Sequence, residues 1–265
     1  MERMKELIRL LNEAAKAYYQ ESREIMPNYE YDRLYDELEE LERKTGITLS
    51  NSPTIRVGYE VLSDLPKEKH PKKMLSLDKT KDVGALAAWL GSQEGVLSWK
   101  LDGLTIVLTY EEGKLAKAVT RGNGEIGEVI TSNARMFENL PLAIDFKGEL
   151  VLRGEAVISY ADFEKINDEI TDEGAKYKNP RNLCSGSVRQ LNNEITAQRH
   201  VQFFAFSLVS ADGVEFKTRN EQFDWLTERG FQVVEHVSVN AETISDAVSA
   251  FDTKIADNPV PCSEL

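Results

Sequence analysis

The first 45 residues place apolar side chains at helical spacing in two separate runs. The first run is formed by Leu7, Leu10, Leu11, Ala14, Ala15, Tyr18 and Tyr19, and the second by Tyr31, Leu34, Tyr35, Leu38 and Leu41. A period near 3.6 residues puts the members of each run on one helix face. The polar stretch Ser22–Asn28 separates the two runs. The pattern therefore predicts two amphipathic helices joined by a short connection.

From about residue 70 the pattern alternates between strand-like and helix-like segments. The predicted strands are Val96–Lys100, Leu104–Tyr110, Leu115–Thr120, Leu150–Ile158, Val201–Val209 and Phe231–Val237. Glu112-Gly113 lies between two of these strands and predicts a hairpin turn. Capping signals begin helices at Ser159–Asp162 and Thr218–Glu221, and a last helix carries Ile244, Val248, Phe251 and Ile255 on one face.

These elements predict an α+β protein with mixed or antiparallel sheets, preceded by a small helical lobe. A polar, loop-like stretch surrounds Pro66-Lys67-Glu68-Lys69. We therefore expect a domain boundary nearby, with a helical lobe over residues 1–62 and a larger core over residues 63–265.

Charge limits the partners that the chain can bind unaided. The chain has 265 residues, and 32 Lys and Arg stand against 45 Asp and Glu, which gives a net charge of −13. Proteins that hold duplex DNA usually present a net basic face, because neutralising phosphates supplies much of the affinity. We therefore do not expect tight binding to nucleic acid by this chain alone.

The sequence predicts a cytoplasmic protein without a membrane segment. No apolar run reaches the roughly 18–20 residues that span a bilayer, and the charged N-terminus is unlike a signal peptide. Cys184 and Cys262 lie far apart in the sequence. This spacing excludes a disulfide framework and a cysteine-rich zinc site. His70, His200 and His236 show no metal-ligand spacing.

The segment Lys100-Leu101-Asp102-Gly103 is the strongest candidate for chemistry. A lysine at a strand end can act as a nucleophilic amine, and Asp102 can orient it or handle a proton. Gly103 allows backbone and ligand to approach closely. The tetrapeptide is weak evidence by itself, because such a sequence also occurs by chance before a surface turn.

Further motifs follow in order and strengthen this interpretation. Arg121 stands beside two glycines after a strand, as a phosphate or ribose contact would. Glu155 ends a strand and can hold a ribose hydroxyl or a hydrated metal ion. The remaining motifs add two arginines and an aromatic surface for a base, in Asn179–Asn182, Ser187–Gln190 and Phe203–Phe206.

This ordered set resembles the NAD-dependent DNA ligases, which belong to the lysine-adenylating nucleotidyltransferases. The resemblance covers nearly the whole chain. Besides the motifs above it includes Tyr18-Tyr19, Glu30-Tyr31-Asp32, Ser52-Pro53-Thr54, Val57-Gly58, Met74–Leu77 and Gly127-Glu128.

The resemblance implies a fold, a reaction and a set of site residues. The core would be a nucleotidyltransferase fold in which Lys100 attacks the α-phosphorus of NAD, forms lysyl-AMP and releases nicotinamide mononucleotide. The helical lobe would grip the nicotinamide half through Tyr18, Tyr19, Asn28, Tyr31 and Asp32. The adenylate half would be held by Ser76, Leu77, Ser98, Leu101, Arg121, Glu155, Arg181, Arg189 and Phe206.

The resemblance also implies the cofactors and partners. NAD and Mg²⁺ would be required, with Glu155 and Asp102 as candidate metal contacts through waters, and no zinc in this region. Nicked DNA would be bound and sealed only with additional C-terminal domains. We expect a monomer.

The chain departs from the family pattern at several positions. Ser98 stands where a glutamate is usual, Asn123 and Asn28 where aspartates are usual, Val129 where an aspartate follows Gly127-Glu128, and Tyr19 where histidine is common. The segment 259–265 arrives where the family has a motif with an aspartate-glycine pair. We therefore expect the core to be truncated at its C-terminal end.

Two alternatives remain open at this point. The chain could be a non-catalytic nucleotide-binding or interaction protein derived from the ligases, which the departures favour and the intact Lys100, Arg121 and Glu155 oppose. It could also be an adenylyltransferase that acts on another substrate. Without the resemblance, Tyr18, Tyr31 and Tyr35 would be packing residues.

Overall fold

The computed structural model describes most of the chain in seven segments. These are residues 2–20, 25–49, 52–54, 65–71, 73–74, 78–171 and 176–263, without the side chains of residues 16, 18–20 and 28. The contacts divide the chain into two compact units. One contains residues 1–75 and 121–128, and the other contains residues 76–120 and 129–265.

The two predicted N-terminal helices are present and pack together in the first unit. They are α1 (Glu2–Gln20) and α2 (Asn28–Thr45). Their apolar stripes form one buried cluster of Met4, Leu7, Ile8, Leu11, Leu34 and Leu38. Gly46 ends α2 with a positive φ of 67°, and its N–H donates to Glu42 O. Such a left-handed residue is a common helix C-cap.

A two-stranded antiparallel sheet belongs to the same unit. Strand β1 (Lys67–Lys69) pairs with β5 (Ile126–Glu128), so that Glu68 lies opposite Gly127. The His70 N–H extends this ladder by donating to Glu125 O at 2.8 Å. This sheet holds the segment that follows Thr120 in the sequence.

A four-stranded antiparallel sheet forms the centre of the second unit, in the order β4-β3-β6-β7. Its strands are β3 (Leu104–Glu111), β4 (Lys114–Thr120), β6 (Leu150–Val157) and β7 (Gln202–Ala211). Glu112 and Gly113 both have positive φ at the predicted hairpin turn, which matches the twist of the strands they join. One face of the sheet is fully buried, through residues such as Ile106, Leu108 and Leu152.

A second antiparallel pair lies in the same unit. Strand β2 (Gly95–Ser98) pairs with β8 (His236–Val239). The cluster behind it contains Trp99, Leu101, Val157, Phe223, Val234, Phe251 and Val260. Trp99 and Phe251 approach to 4.6 Å between ring centroids. The core therefore reaches both neighbours of Lys100 in the sequence.

Seven more helices complete the described residues of this unit. They are α3 (Val83–Leu90), α4 (Thr131–Ala134), α5 (Tyr160–Glu169), α6 (Pro180–Val188), α7 (Asn193–Ala197), α8 (Arg219–Glu228) and α9 (Ile244–Lys254), the last followed by a 3-10 turn over Ile255–Asp257. Ser159 caps α5, and Thr218 with Glu221 forms a full capping box at α8, as predicted. In the described parts of the chain no helix is long and apolar enough to cross a membrane.

The prediction of a strand over Phe231–Val237 is wrong in extent. The strand observed there begins at His236, and within residues 231–235 the only bridge is an isolated parallel one between Val233 and Ala205. Phe231 is drawn into the core against Tyr110, at 5.3 Å between ring centroids. Val234 is buried in the cluster behind β2. Tertiary packing thus overrides the local strand signal.

Glu235 anchors Trp99, the residue before Lys100. Trp99 Nε1 donates to Glu235 Oε2 at 2.9 Å, and Lys254 Nζ donates to Glu235 Oε1 at 3.1 Å. These two bonds, chiefly that from Trp99, lower the pKa of Glu235 below its ordinary value of 4.5. A carboxylate with a depressed folded-state pKa stabilises the fold above its unfolded-state pKa. That stabilisation is lost as the pH falls through the folded-state value.

We therefore expect Glu235→Gln to lower the free energy of unfolding at pH 7 and to flatten its decline between about pH 5 and pH 3. Urea unfolding over this pH range measures both effects. Glu164→Gln, at an exposed position of α5, is the matched control and should leave both unchanged. The same pH dependence in Glu235→Gln and in the unmodified chain would contradict the role given to Glu235.

Candidate active site around Lys100

Lys100 lies two residues after the end of β2, which stops at Ser98 and not at Lys100 as the pattern predicts, and it is exposed at the surface of its unit. The buried residues Trp99 and Leu101 flank it and fix its backbone. The segment Pro261–Ser263 runs antiparallel to it: Ser263 N donates to Lys100 O at 2.9 Å, and Asp102 N donates to Pro261 O at 2.8 Å. The Lys100 amine donates to Ser263 Oγ at 3.2 Å. The amine is therefore accessible but held by a hydroxyl.

Asp102 faces an arginine from a neighbouring helix. Arg181 Nη1 lies 2.6 Å from Asp102 Oδ1, and the two side chains are 21% and 23% exposed. Arg181 lies in the first turn of α6, which Asn179 caps by accepting from Asn182 N at 2.8 Å. The capped and proline-initiated start of α6 fixes the direction of the Arg181 side chain.

Gly103 allows the turn after Lys100 to lie directly against β6. A Cβ at this position would be 1.9 Å from Ala156 O and 2.8 Å from Val157 Cγ1. No side chain fits in that space. The glycine predicted to permit close approach is thus required by the chain's own backbone.

Glu155 is the buried acid of the site. Its side chain projects from β6, directly opposite Thr105 in the register of β3 and β6, and the residue is 6% exposed. Oε1 accepts from Gly103 N at 3.1 Å and Oε2 from Thr105 Oγ1 at 2.8 Å. Burial raises the pKa of Glu155, while the nearby charges of Arg181 and Lys100 and the two hydrogen bonds oppose that rise.

Cys184 lies on α6, the helix that also carries Arg181. It is fully buried in α6, and its thiol donates to Ala156 O at 3.1 Å. Burial raises the pKa of the thiol. It is the packing residue on a helix that the sequence predicts.

Three further predicted residues border the same core at its edges. Ser98 ends β2 opposite His236 and is half-buried. Phe206 is half-buried on β7 and packs against the cluster that contains the buried Leu101. Arg189 is half-buried and lies away from Arg181 along the chain. It follows the last residue of α6, about 12 Å along the helix axis from Arg181.

Arg121 belongs to the first unit, in a tight turn before β5. Asn123 Oδ1 accepts from Glu125 N at 2.9 Å and from Ile126 N at 2.8 Å. A Cβ on Gly122 would be 2.0 Å from Ile126 O. The buried His70 ring contacts Arg121 O at 3.1 Å, and Arg121 Nη2 donates to Met74 O at 3.4 Å. These contacts fix the turn from which the Arg121 side chain projects.

The helical lobe presents part of its predicted site. Asp32 is exposed on α2, and Tyr31 is half-buried with its ring 6.3 Å from that of Tyr35. Tyr31 also packs against the buried cluster of the lobe. The side chains of Tyr18, Tyr19 and Asn28, and the residues Ser76 and Leu77, lie outside the described residues.

Thr105, Ser263 and Glu235 are contacts of the site that the sequence analysis did not identify. Strand alternation puts Thr105 on one face of β3. Its pairing with Glu155 depends on the register of two strands that are far apart in the sequence. Ser263 and Glu235 likewise contact residues that are far from them in the sequence. None of the three contacts could therefore be predicted from neighbouring residues.

The described side chains include no preformed metal-binding site. No group of three or more His, Cys, Asp or Glu residues that could bind a metal ion is present among them. Asp102 and Glu155 are the two carboxylates near Lys100, and both already accept bonds from the protein. Mg²⁺ usually keeps several waters and takes only one or two carboxylates together with substrate phosphates. The donor set therefore fits a hydrated ion.

The antiparallel-sheet core carries a lysine, a buried glutamate and an aspartate–arginine pair, which agrees with the class that the family match gives, a nucleotidyltransferase-type fold. Comparison with known families identifies the branch. The family model of the NAD-dependent DNA ligase adenylation domain matches residues 62–258, and that of the DNA ligase-like, N-terminal NAD+-binding domain matches residues 1–58. The chain belongs to the NAD-dependent DNA ligase family, which confirms the predicted resemblance and fold class.

Individual relatives agree with the family match. The chain is 63% identical over 263 residues to a DNA ligase of Ruminiclostridium cellulolyticum, covering 99% of this chain and 40% of the relative. It is 62% identical over 265 residues to a DNA ligase of Lachnoclostridium phytofermentans, covering 100% and 41%. A DNA ligase of Helicobacter pylori is 39% identical over 245 residues, covering 89% and 37%. The chain thus spans about two-fifths of the length of these curated relatives.

The close approach at Gly103 yields a prediction. We expect Gly103→Ala to lower the free energy of unfolding by about 2–4 kcal/mol, because a backbone carbonyl must move to admit the methyl group. Gly84→Ala is the control, since its added Cβ would meet only the Asp82 side chain, at 3.1 Å. Denaturant unfolding of both variants measures the difference. Equal stability of the two would contradict the packing described at Gly103.

Proposed function

We propose that this chain carries out the adenylation half-reaction of a DNA ligase, with NAD as the AMP donor and Lys100 as the nucleophile. The observation that carries the proposal is the arrangement of the segment Lys100–Gly103. It combines an accessible amine with the Arg181–Asp102 pair and the buried Glu155. The family match supplies the substrate class.

The proposed reaction exchanges one bond to phosphorus for another. The Lys100 nitrogen attacks the phosphorus of the AMP half of NAD, and a P–N bond forms. The bond from that phosphorus to the bridging oxygen breaks, and nicotinamide mononucleotide leaves with the oxygen. The nitrogen attacks as the neutral amine, after the ammonium has lost one proton, and it loses a second proton as the P–N bond forms. Both protons pass to solvent, which reaches the exposed Lys100 side chain. Lysyl-AMP remains on the protein.

The residues that the resemblance assigns to the adenylate half would bind and orient it. Glu155 would accept from ribose hydroxyls, and Arg181 would face the phosphate from the start of α6, where the helix N-terminus also favours an anion. Asp102 would hold Arg181 in place through their ion pair. Phe206 would contact the adenine, with Ser76, Leu77, Ser98 and Leu101 lining the nucleotide and Arg121 and Arg189 as further cations.

Magnesium would act through water in this proposal. Asp102 and Glu155 are the residues that would hold a hydrated Mg²⁺ ion, together with phosphate oxygens of the substrate. When bound, the ion would offset negative charge on the phosphates.

The helical lobe would bind the nicotinamide half of NAD. The proposal assigns this role to Tyr18, Tyr19, Asn28, Tyr31 and Asp32. The position of Asp32 supports it, because an exposed carboxylate on α2 would attract a cationic nicotinamide.

Further properties follow from the family as proposals. Nicked DNA would be the final substrate in replication and repair, bound together with additional C-terminal domains. We propose a cytoplasmic location, in keeping with two free thiols, since disulfides are rare in that compartment. We also propose that the chain is a monomer.

Intact-mass measurement tests the proposed nucleophile. Incubation with NAD and Mg²⁺ should add one AMP per chain, and Lys100→Ala should abolish the adduct because no amine remains at that position. Lys114→Ala, at an exposed position of β4, is the control and should keep the adduct. An adduct that persists in Lys100→Ala would overturn the assignment. Bound NAD without any adduct in the unmodified chain would favour the non-catalytic alternative.

A charge-removing variant tests the helical lobe. Asp32→Asn should lower kcat/KM for NAD by about tenfold, chiefly through KM, because the nicotinamide half loses an ionic contact. Transfer of AMP from purified lysyl-AMP protein to pyrophosphate, which forms ATP and frees the lysine, should stay unchanged, since that route involves no nicotinamide. Glu39→Gln removes an equal charge from an exposed site on the same helix. Equal kcat/KM in the two variants would remove Asp32 from the proposed site.

A further inference from the structure

The Glu155 carboxylate is held by one backbone donor and one side-chain donor. Gly103 N reaches Oε1 at 3.1 Å and Thr105 Oγ1 reaches Oε2 at 2.8 Å. The backbone donor cannot rotate, because Gly103 packs directly against Ala156 O. Of the two donors to Glu155, only the Thr105 hydroxyl can therefore rotate.

Both donors come from the segment that begins with the proposed nucleophile. Thr105 lies in β3, and the register places it directly opposite Glu155 in β6. The strand pairing fixes the distance between the two Cα atoms, so the hydroxyl reaches the carboxylate without distortion of the sheet. Lys100 and Arg181 act on the same carboxylate through their charges.

The two bonds leave part of the carboxylate available. An ionised carboxylate has about four acceptor sites on its two oxygens, and the protein occupies one on each oxygen. The remaining sites lie in the same plane, so fixing the carboxylate plane also fixes the direction in which it can accept from a ligand. A carboxylate with only the Gly103 bond could turn about its last side-chain torsion, which is broad for glutamate.

We infer that Thr105 is a positioning residue that orients Glu155 toward the ribose hydroxyls of the adenylate and thereby sets the selectivity for that sugar. This inference rests on the proposed function, in which Glu155 holds the ribose. Thr105 itself does not touch the substrate. Its hydroxyl acts only through the carboxylate.

Discrimination between sugars tests the inference, because a merely structural residue would not alter it. The rate of lysyl-AMP formation is measured with NAD and with NAD analogues that lack the 2′- or the 3′-hydroxyl of the adenosine ribose. We expect the unmodified 265-residue chain to prefer NAD by about tenfold or more in kcat/KM over at least one analogue. In Thr105→Val, which keeps the shape and loses the donor, this preference should fall to about threefold or less.

Matched variants separate the hydroxyl from the strand position. Thr109→Val makes the same change on the same face of β3, four positions further along the strand, and should keep the full preference. Thr105→Ser restores the donor and should recover the preference. If Thr105→Val does not fold, Thr105→Ala removes the same donor with a smaller side chain and carries the same expectation.

The outcomes distinguish this inference from the function on which it rests. A full preference for NAD in Thr105→Val or Thr105→Ala would overturn the inference while leaving adenylation by Lys100 intact. A lost preference in Thr109→Val equal to that in Thr105→Val would also overturn it. An unmodified chain that forms no lysyl-AMP would overturn the proposed function, and the inference with it. An unmodified chain that reacts equally with all three dinucleotides would refute the ribose role of Glu155 and, through it, the role of Thr105.

Discussion

The contact between Gly103 and Ala156 is the constraint on which the site depends. It allows two backbone segments to approach more closely than any side chain permits. Pairing of β3 with β6 begins immediately afterwards, at Leu104 and Ala156, and places Thr105 opposite Glu155. Lys100 precedes this contact by three positions, on a backbone held by Pro261 and Ser263. The proposed nucleophile, the buried acid and the donor that holds the acid are thus fixed by one steric requirement.

Local charge at the site differs from that of the whole chain. The chain carries a net charge of −13, yet the described contacts around Glu155 balance two carboxylates, Asp102 and Glu155, against two cations, Lys100 and Arg181. Burial raises the pKa of Glu155, and the cations with the two hydrogen bonds oppose that rise. An incoming dinucleotide would add phosphate charge beside Lys100 and Arg181. Asp102 would then orient Arg181, and Glu155 would orient the sugar. The excess negative charge of the chain lies elsewhere on the surface, for example on α2.

Elements with strong local signals could be predicted from the sequence, and contacts between distant segments could not. Helical periodicity predicts α1 and α2, and Glu112-Gly113 predicts the hairpin, because these depend on neighbouring residues. The strand predicted over Phe231–Val237 was wrong in extent, since Tyr110 and the cluster behind β2 take its side chains. Family resemblance identified Lys100 and Glu155 as candidates. It did not reveal Thr105, whose role follows only from the register of β3 and β6.

The departures from the family pattern can be weighed by what the replaced residues do in the fold. Asn123 replaces the usual aspartate, and its side-chain oxygen accepts two backbone N–H groups that shape the turn after Arg121. An amide oxygen serves this purpose as well as a carboxylate, because the turn requires an acceptor and no charge. Asn123 therefore gives no support to the non-catalytic alternative. The groups that distinguish the alternatives are those which must react or carry charge, and Lys100, Asp102, Glu155 and Arg181 are all retained.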